Sequence, residues 1–258
     1  SDFAAILNLS ADHLERHGNI NKYAKAKLKL IYNQDKNKQS FIEKDKKIIK
    51  KNILYKNIRS KIKKLIYNKE TFFKNRINNS YLLDQNNLKN IHFVYQICKK
   101  FKITDKQIFR SLNSYKGLKF RKEIIYSRKD LSIINDSKST SFSSTIGLLS
   151  SYKNIYWIVG GMFKKGDKFI IDRKYYKNIT AYIIGKNKDF FVRQFKNKIK
   201  YNYFANLKNA ISKIKIEIKN DKKNKTILFS PSAASFDQFK NFEQRGKNFN
   251  KLARNLTI

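Results

Sequence analysis

Residues 226–246 read TILFSPSAASFDQFKNFEQRG, and this stretch carries the strongest fold signal in the chain. The apolar run at 226–229 predicts a buried strand. Ser230, the single proline Pro231 and a run of small residues follow it. Four phenylalanines then recur at helical spacing: Phe236, Phe239, Phe242 and Phe249. A strand that ends in small polar residues before a helix is typical of α/β sheets, where anionic ligands bind at such turns. An ordinary strand–loop–helix connection fits the same pattern.

The residues upstream extend the α/β pattern. The hydrophobic periodicity predicts strands at 121–127, 131–135, 155–159, 179–184 and 225–229. Helices alternate with them, at 139–150, 188–196, 204–215 and 238–255. This alternation predicts a mostly parallel, doubly wound sheet.

Three of these strands end in residues that are unusual for a core. They are the segment at 135–138, the glycine pair at 160–161 and Ser230. The carboxyl ends of parallel strands share one edge of the sheet, where ligands usually bind. We therefore expect a ligand site at that edge.

The first third of the chain predicts a second α/β unit. A strand is predicted at 3–8, and the helix after it carries an apolar stripe of Ile20, Tyr23, Ala24, Lys27, Leu28 and Ile31. Lys27 on that stripe is either a side chain that extends to solvent at its edge or a half-buried lysine with a neutral amine. Lysine-rich residues 33–83 contain strand-like runs and predict an antiparallel or mixed set of strands.

Two further helices precede the predicted domain boundary. One spans 86–101, and the second spans 104–112 with Thr104 as its N-cap. The inner stripe of the first is expected to contain Leu88, Ile91, Val94, Cys98 and Phe101. We place the boundary after Gly117, which gives domains at 1–117 and 118–258.

Composition limits the classes of function. The chain has 258 residues, 41% of them hydrophobic, which is enough for two domains of ordinary size. The single cysteine rules out an internal disulfide and a thiolate zinc site. No apolar stretch reaches the length of a membrane span and no signal peptide opens the chain. We expect a cytoplasmic monomer without a membrane partner.

The formal net charge of +39 raises the question of a nucleic-acid partner. The lysines are spread along the chain among Asn, Ile, Tyr and Phe, whereas a nucleic-acid reader concentrates charge on one face. We therefore do not expect nucleic acid as the partner, although a basic nucleic-acid-binding protein is the alternative interpretation.

The order SP, AS, DQF, NFE and RG in residues 230–246 resembles the C-terminal signature of the Mur ligase family. Residues 8–27, NLSADHLERHG…YAKAK, resemble another segment of that family. The D-glutamate-adding members are the most similar. The resemblance implies the C-terminal part of a central ATPase domain at 1–117, followed by a Rossmann-like, doubly wound C-terminal domain at 118–258.

The resemblance also implies ATP and Mg²⁺ as cofactors. His13 and a carbamylated Lys27 match the family residues that hold magnesium. Carbamylation needs a neutral amine, and its product offers the oxygen ligands that Mg²⁺ prefers. Asn87 and Asn90 in DQNNLKN match asparagines that contact the nucleotide, but Asp84 and Asn86 replace a glycine and a histidine of the family pattern. Helix N-caps are the alternative role for the two asparagines.

The remaining expected site residues lie in the C-terminal half. Arg121 matches an arginine that neutralises phosphate charge as ATP reacts, and Phe120 stands where the family has a histidine. Asp136 and Lys138 match residues that hold the ribose and phosphates of the nucleotide, although a charged loop that caps a helix has the same composition. By resemblance the D-glutamate contacts are Thr140, Lys164, Ser235 and Phe242, and Lys165 is an alternative to Lys164.

The implied reaction forms an amide through an acyl phosphate. ATP phosphorylates the terminal carboxylate of UDP-N-acetylmuramoyl-L-alanine, the amine of D-glutamate attacks, and phosphate leaves. The sequence contains no G-x-x-x-x-G-K-[ST] loop and does not begin with methionine. We therefore expect a piece of the ligase that lacks its N-terminal half and is inactive alone. A degenerate, non-catalytic protein that retains the fold is the alternative.

Overall fold

The computed structural model describes residues 1–7, 9, 14–43, 47–54, 57–65, 70–83, 85–128 and 130–256. The chain divides into two compact units, Ser1–Lys116 and Gly117–Ile258. This division lies one residue from the predicted boundary. Each unit has its own sheet and its own hydrophobic clusters.

The N-terminal unit contains a parallel sheet of three described strands in the order β1-β2-β3. The strands are β1 (Phe3–Ile6), β2 (Gln39–Glu43) and β3 (Lys61–Leu65). The helices between them are α1 (Leu14–His17), α2 (Ile20–Tyr32) and α3 (Lys47–Asn52). The predicted antiparallel or mixed arrangement is wrong, because each helical connection returns the chain to the same end of the sheet. Residues 48–52, which belong to one of the strand-like runs expected within 33–83, lie in α3 instead.

One side of this sheet packs against α2 and α3. The predicted stripe of α2 is confirmed at Ala24, Leu28 and Ile31, which are buried, but not at Lys27, which is exposed. Leu28 and Ile31 cluster there with Ile42 of β2 and Ile49 of α3. Apolar residues at helical spacing thus determine the face that α2 turns to the sheet.

The remaining helices of this unit are α4 (Glu70–Lys74), α5 (Gln85–Lys100) and α6 (Asp105–Ser114). Thr104 caps α6 in a reciprocal capping box with Gln107, as its predicted role as N-cap requires. The predicted stripe of α5 is only partly confirmed, since Val94 is 48% and Phe101 62% exposed. The helix instead buries two sides, with Leu88, Ile91 and Tyr95 in one cluster and Phe93 in another.

The C-terminal unit contains a six-stranded sheet in the order β4-β5-β9-β6-β7-β8. β4 is antiparallel to β5, and the other neighbours are parallel. The strands are β4 (Glu123–Arg128), β5 (Leu131–Asn135), β6 (Ile155–Gly160), β7 (Ile179–Ile184), β8 (Lys200–Phe204) and β9 (Lys225–Phe229). The five predicted strands are all present. β8 was not predicted, because as an edge strand with exposed residues it lacks an apolar pattern.

Helices cover both faces of this sheet. They are α7 (Phe142–Ser151), α8 (Lys188–Phe195), α9 (Leu207–Asn220) and α10 (Phe242–Ala253). Along β6, Trp157 and Val159 cluster with α7 and α8, whereas Tyr156 and Ile158 cluster with α9 and α10. The doubly wound fold is therefore confirmed.

The predicted helix at 238–255 begins later than the phenylalanine spacing indicates. Asn241 is the N-cap of α10 and accepts a hydrogen bond from Gln244 N. Phe236 is 70% exposed and precedes the helix, so its place in the helical pattern was wrong. Among the described residues, no helix reaches the length and apolarity required to cross a bilayer.

Candidate active site

The carboxyl ends of β5, β9 and β6 meet at one edge of the C-terminal sheet. Asn135 and Ile158 both pair with Phe229, and all three strands are parallel. β5 continues towards α7 on one face, whereas β9 continues towards α10 on the other. Such a reversal creates a crevice outside the strand ends, where ligands of α/β proteins bind. The prediction that the three unusual strand ends share an edge is confirmed.

Asp136 joins two of these strand ends. Its Oδ2 accepts a hydrogen bond from Ser230 Oγ at 2.7 Å, and its Oδ1 accepts one from the Lys122 backbone N–H at 3.1 Å. Burial raises the pKa of Asp136 to about 6, although the bonds from Ser230 and Lys122 partly offset this effect. Both oxygens of this buried carboxylate thus already bind the protein itself, and the predicted contact with the nucleotide stays a prediction.

A buried hydroxyl network continues from Asp136. Thr145 Oγ1 lies 2.7 Å from Ser230 Oγ, 2.7 Å from Ser232 Oγ and 2.6 Å from Ser139 Oγ. The network connects the loops after β5 and β9 with α7. Buried polar groups that are mutually satisfied in this way make a region rigid.

The loop after β6 is attached to the start of α7. Asp167 Oδ2 accepts a hydrogen bond from Phe142 N at 2.8 Å, and Asp167 N donates to Lys164 O at 3.1 Å. A carboxylate at a helix N-terminus satisfies an otherwise free N–H group and interacts favourably with the helix dipole. Lys164 is therefore held on a loop that contacts α7, the helix that follows Thr140. The side chains of Lys164 and Thr140 are partly exposed. The neighbouring Lys165 is exposed.

The same loop also binds the segment after β9. Met162 and Ala234 exchange two backbone hydrogen bonds of 2.9 Å each, directly before the buried Ser235. On the β5 side, Lys138 Nζ lies 3.7 Å from the centre of the Phe242 ring. The structure thus places Lys138, Thr140, Lys164 and Ser235 on loops at one sheet edge that are bonded to each other, and Phe242 at the start of α10.

Arg121 and Phe120 precede β4. Arg121 is exposed, and its charge favours the ionised form of Asp136. Phe120 is buried and has a left-handed φ of 63°, and its O accepts a hydrogen bond from Lys138 N at 3.0 Å. A Cβ added at Gly246 would lie 2.3 Å from the Phe120 ring. Phe120 is therefore a packing residue that requires glycine on α10.

Sequence reasoning did not identify Arg245, the arginine of the RG pair. Its side chain is 1% exposed. Nε donates to Ser137 Oγ at 3.2 Å, and Nη2 donates to Ser137 O at 2.7 Å and to Ala233 O at 3.0 Å. Its spacing of three from Phe242 and four from Phe249 places it on the buried stripe of α10, and this was the available signal.

In the N-terminal unit, Lys27 borders a cavity of about 440 Å³ beside the carboxyl end of β1. Ala5, Ile6 and Leu7 form the β1 side of this cavity. Lys27 is exposed, and its Nζ lies 5.0 Å from the centre of the Tyr23 ring. The prediction of a half-buried lysine is wrong, because the stripe of α2 that faces the sheet passes beside this position.

The predicted magnesium ligands are only partly covered by the structure. His13 lies outside the described residues. Among the residues that are described, no group of three or more His, Cys, Asp or Glu side chains is placed to hold a metal ion. An unmodified Lys27 ammonium has no lone pair to offer, whereas a carbamate would supply the oxygen donors that Mg²⁺ prefers. The metal site therefore stays a prediction that depends on His13 and on modification of Lys27.

Asn87 and Asn90 lie in the first two turns of α5, which begins at Gln85. The alternative role as helix N-caps is therefore wrong. Asn87 Nδ2 donates to Tyr81 O at 2.8 Å, and both side chains are partly exposed. Asp84 and the side chain of Asn86, where the sequence departs from the family pattern, lie outside the described structure.

Comparison with known proteins shows a similarity to the Mur ligases. Residues 1–104 match the model of the Mur ligase middle domain. A UDP-N-acetylmuramoylalanine--D-glutamate ligase of Wolbachia sp. subsp. Brugia malayi (strain TRS) is 32% identical over 270 residues, which cover 99% of this chain. The chain is a relative of the Mur ligases. The ligase of the same name from Rickettsia felis (strain ATCC VR-1525 / URRWXCal2) is 30% identical over 269 residues and 97% of the chain.

The match to the Mur ligases does not extend to the whole length of these relatives. The chain spans 54% of the Wolbachia protein and 60% of the Rickettsia protein. Among solved structures, a MurF ligase from Thermotoga maritima in complex with ADP has a TM-score of 0.67 and covers 98% of this chain. At 16% identity this likeness shows the fold alone. The Mur ligase fold predicted from the sequence is confirmed.

Proposed function

We propose that this chain is part of an ATP-dependent ligase that adds D-glutamate to UDP-N-acetylmuramoyl-L-alanine through an acyl phosphate, in the synthesis of peptidoglycan precursors. The observation that carries the proposal is the sheet edge of the C-terminal unit. There the loops after β5, β6 and β9 hold Thr140, Lys164 and Ser235 and are bonded to each other. Relatives that are similar over nearly the whole chain carry the name of this ligase.

The residues at this edge suit an anionic amino acid. Lys164 would bind a carboxylate through its ammonium group, while Thr140 and Ser235 offer hydroxyl groups to carboxylate oxygens or to the amine. Phe242 would pack against the aliphatic part of the substrate. Since Lys138 contacts the Phe242 ring, a second positive charge lies beside the same site.

The proposed reaction needs groups that stabilise phosphate charge. Arg121 is exposed before β4 and would neutralise the transferring phosphoryl group. Asp136, Lys138, Asn87 and Asn90 would contact the nucleotide. ATP supplies the phosphoryl group, and magnesium, bound by His13 and a carbamylated Lys27, would neutralise its charge.

The domain roles follow from this assignment. Residues 1–117 would form part of the central, ATP-binding domain, and residues 118–258 the D-glutamate-binding domain. Activity would require the remainder of the ligase as a partner and a cytoplasmic supply of both substrates, with the enzyme acting as a monomer. The chain alone would bind ligands without turning them over.

A titration of the isotopically labelled 258-residue chain with D-glutamate tests the proposal. We expect amide shifts at Thr140, Lys164 and Ser235, and a much weaker response to L-glutamate, because the site is chiral. Lys164→Ala should abolish the shifts, whereas Lys165→Ala should preserve them. An equal response to the two enantiomers would contradict the assignment.

The alternative, a basic nucleic-acid-binding protein, predicts a different measurement. Its affinity for a single-stranded oligonucleotide would fall steeply with salt, because binding releases condensed counterions. Tight, salt-sensitive binding of RNA or DNA in the absence of any D-glutamate response would favour this alternative and oppose the ligase.

A further inference from the structure

The guanidinium of Arg245 forms a buried fork between two loops of the proposed D-glutamate site. Two of its nitrogens donate to Ser137, at the backbone O and at Oγ, and Nη2 also donates to Ala233 O. Ser137 precedes Lys138 and lies on the loop after β5, while Ala233 lies on the loop after β9. Because a guanidinium is planar and its donors diverge at fixed angles, it sets the distance between the groups that it binds.

Further hydrogen bonds connect the loops that Arg245 joins to the proposed D-glutamate site. Ser137 Oγ donates to Phe242 O at 2.8 Å, so the arginine, the β5 loop and the start of α10 form one unit. Ala233 is two residues before Ser235 and is followed by Ala234, which pairs with Met162 of the third loop. A shift of the guanidinium would therefore move all three loops that carry the proposed contacts.

Arg245 also has a spare pair of donors. Nη1 has no hydrogen-bond partner among the described residues, although it is buried. It faces the backbone at the end of β6, since a Cβ added at Gly161 would lie 3.3 Å from it. An unpaired, buried N–H is costly and calls for a physical explanation.

The positive charge of Arg245 is not cancelled by a direct ion pair among the described residues. Burial lowers its pKa to about 10, while the charges of Asp237 and Asp136 act in the opposite direction from a distance. The group is therefore charged at neutral pH. In a poorly hydrated interior such a charge favours an anion bound at the nearby surface.

We propose that Arg245 is a positioning residue for the anionic amino acid: its fork holds the loops after β5 and β9 at the spacing that a carboxylate substrate needs. The inference rests on the proposed function, in which that substrate is D-glutamate. In this proposal Arg245 itself does not touch the substrate, since two of its nitrogens bind Ser137 and Ala233. It acts through Thr140 and Ser235, which the two loops present.

The test compares two substitutions in the 258-residue chain. Arg245→Lys keeps the charge but cannot bond Ser137 and Ala233 as a fork, and Arg245→Met removes the charge at similar length. Arg193→Lys on the exposed side of α8 is the matched control. We expect both Arg245 variants to bind D-glutamate at least about tenfold more weakly, the equivalent of one lost hydrogen-bonding interaction, while the control stays unchanged.

Amide hydrogen exchange separates positioning from general destabilisation. In Arg245→Lys, exchange should accelerate at residues 137–140 and 233–235 and stay unchanged in β7, which lies between β6 and β8. Equal acceleration throughout the C-terminal unit, or D-glutamate affinity unchanged in both variants, would overturn the inference. If the wild-type chain itself fails to bind D-glutamate, the proposed function fails, and the exchange pattern alone then decides whether Arg245 positions the loops.

Discussion

Asp136 should make the stability of the C-terminal unit depend on pH in an unusual direction. Its pKa is raised from the usual 3.8 to about 6 by burial, so the folded unit binds this proton more tightly than the unfolded chain does. The protonated carboxyl group therefore contributes stability that is fully present below about pH 4. That contribution is lost as the pH rises through 6.

The expected change in unfolding free energy follows from the pKa shift of Asp136. At pH 5 the native carboxyl group lies about one unit below its pKa, whereas in the unfolded chain it is already ionised. Since one pKa unit corresponds to about 1.4 kcal/mol, the unit should lose about 1.4 kcal/mol of unfolding free energy between pH 5 and pH 8. Asp136→Asn cannot ionise and should remove this difference.

Trp157 provides the measurement. It is the single tryptophan of the chain, is fully buried in the C-terminal unit, and donates a hydrogen bond from Nε1 to Ser230 O at 2.8 Å. Urea unfolding followed by its fluorescence, at constant ionic strength, reports on this unit. All three histidines of the sequence lie at positions 13, 17 and 92, outside the C-terminal unit that Trp157 reports on.

Asp221→Asn is the matched control. Burial alone would raise the pKa of Asp221, but hydrogen bonds from Asn154 and from the Lys223 backbone N–H hold it below its usual value. This carboxylate therefore stays ionised from pH 5 to pH 8, and its removal should leave the pH dependence unchanged. The reasoning is refuted if Asp136→Asn retains the wild-type slope, or if wild-type stability rises from pH 5 to pH 8.

Three further tests address the packing, the hydroxyl network and the proposed modification of Lys27. Gly246→Ala would press a methyl group against the Phe120 ring and should lower the free energy of unfolding by about 1–3 kcal/mol. The control Gly147→Ala, which has open space around it inside α7, should raise that free energy by about 0.5–1 kcal/mol. Equal effects of the two substitutions in urea unfolding would contradict this packing. Thr145→Val removes one hydrogen-bond partner from each of three buried serine hydroxyls, which keep their other partners. Because each lost bond contributes about 0.5–1.5 kcal/mol net, the substitution should cost about 1–3 kcal/mol, and a neutral effect would show that the network contributes little. In the longest form of the protein that the gene encodes, Lys27→Ala should abolish ligation, with short-chain carboxylic acids restoring it; unimpaired phosphate release would end the carbamate hypothesis.

The order of elements in the C-terminal unit could be predicted from the sequence because it depends on local pattern. Five strands and four helices show apolar runs or helical spacing, and alternation of the two implies a parallel sheet. Parallel strands must end at one edge, so the meeting of Asp136, Gly161 and Ser230 was predictable as well. The family signature at 230–246 added the expected D-glutamate contacts.

Structural features that depend on contacts between elements distant in the sequence could not be predicted. β8 lacks an apolar pattern because it is an edge strand, and it forms because β7 offers a pairing partner. The exposure of Lys27 depends on which residues of α2 face the sheet, and helical spacing alone does not fix the edge of that buried stripe.

By itself, the sequence determined the fold class and the loops on which the proposed site residues lie, because both depend on spacing along the chain, and its motifs gave the resemblance to the Mur ligases. Only the tertiary structure decided which polar groups form their hydrogen bonds inside the protein. Asp136 forms internal hydrogen bonds and Arg245 joins two loops, because the partners of both, Ser230 and Ser137, are about a hundred residues away along the chain. The free energy of a buried polar group depends on such distant partners, and they are set only when the chain has folded.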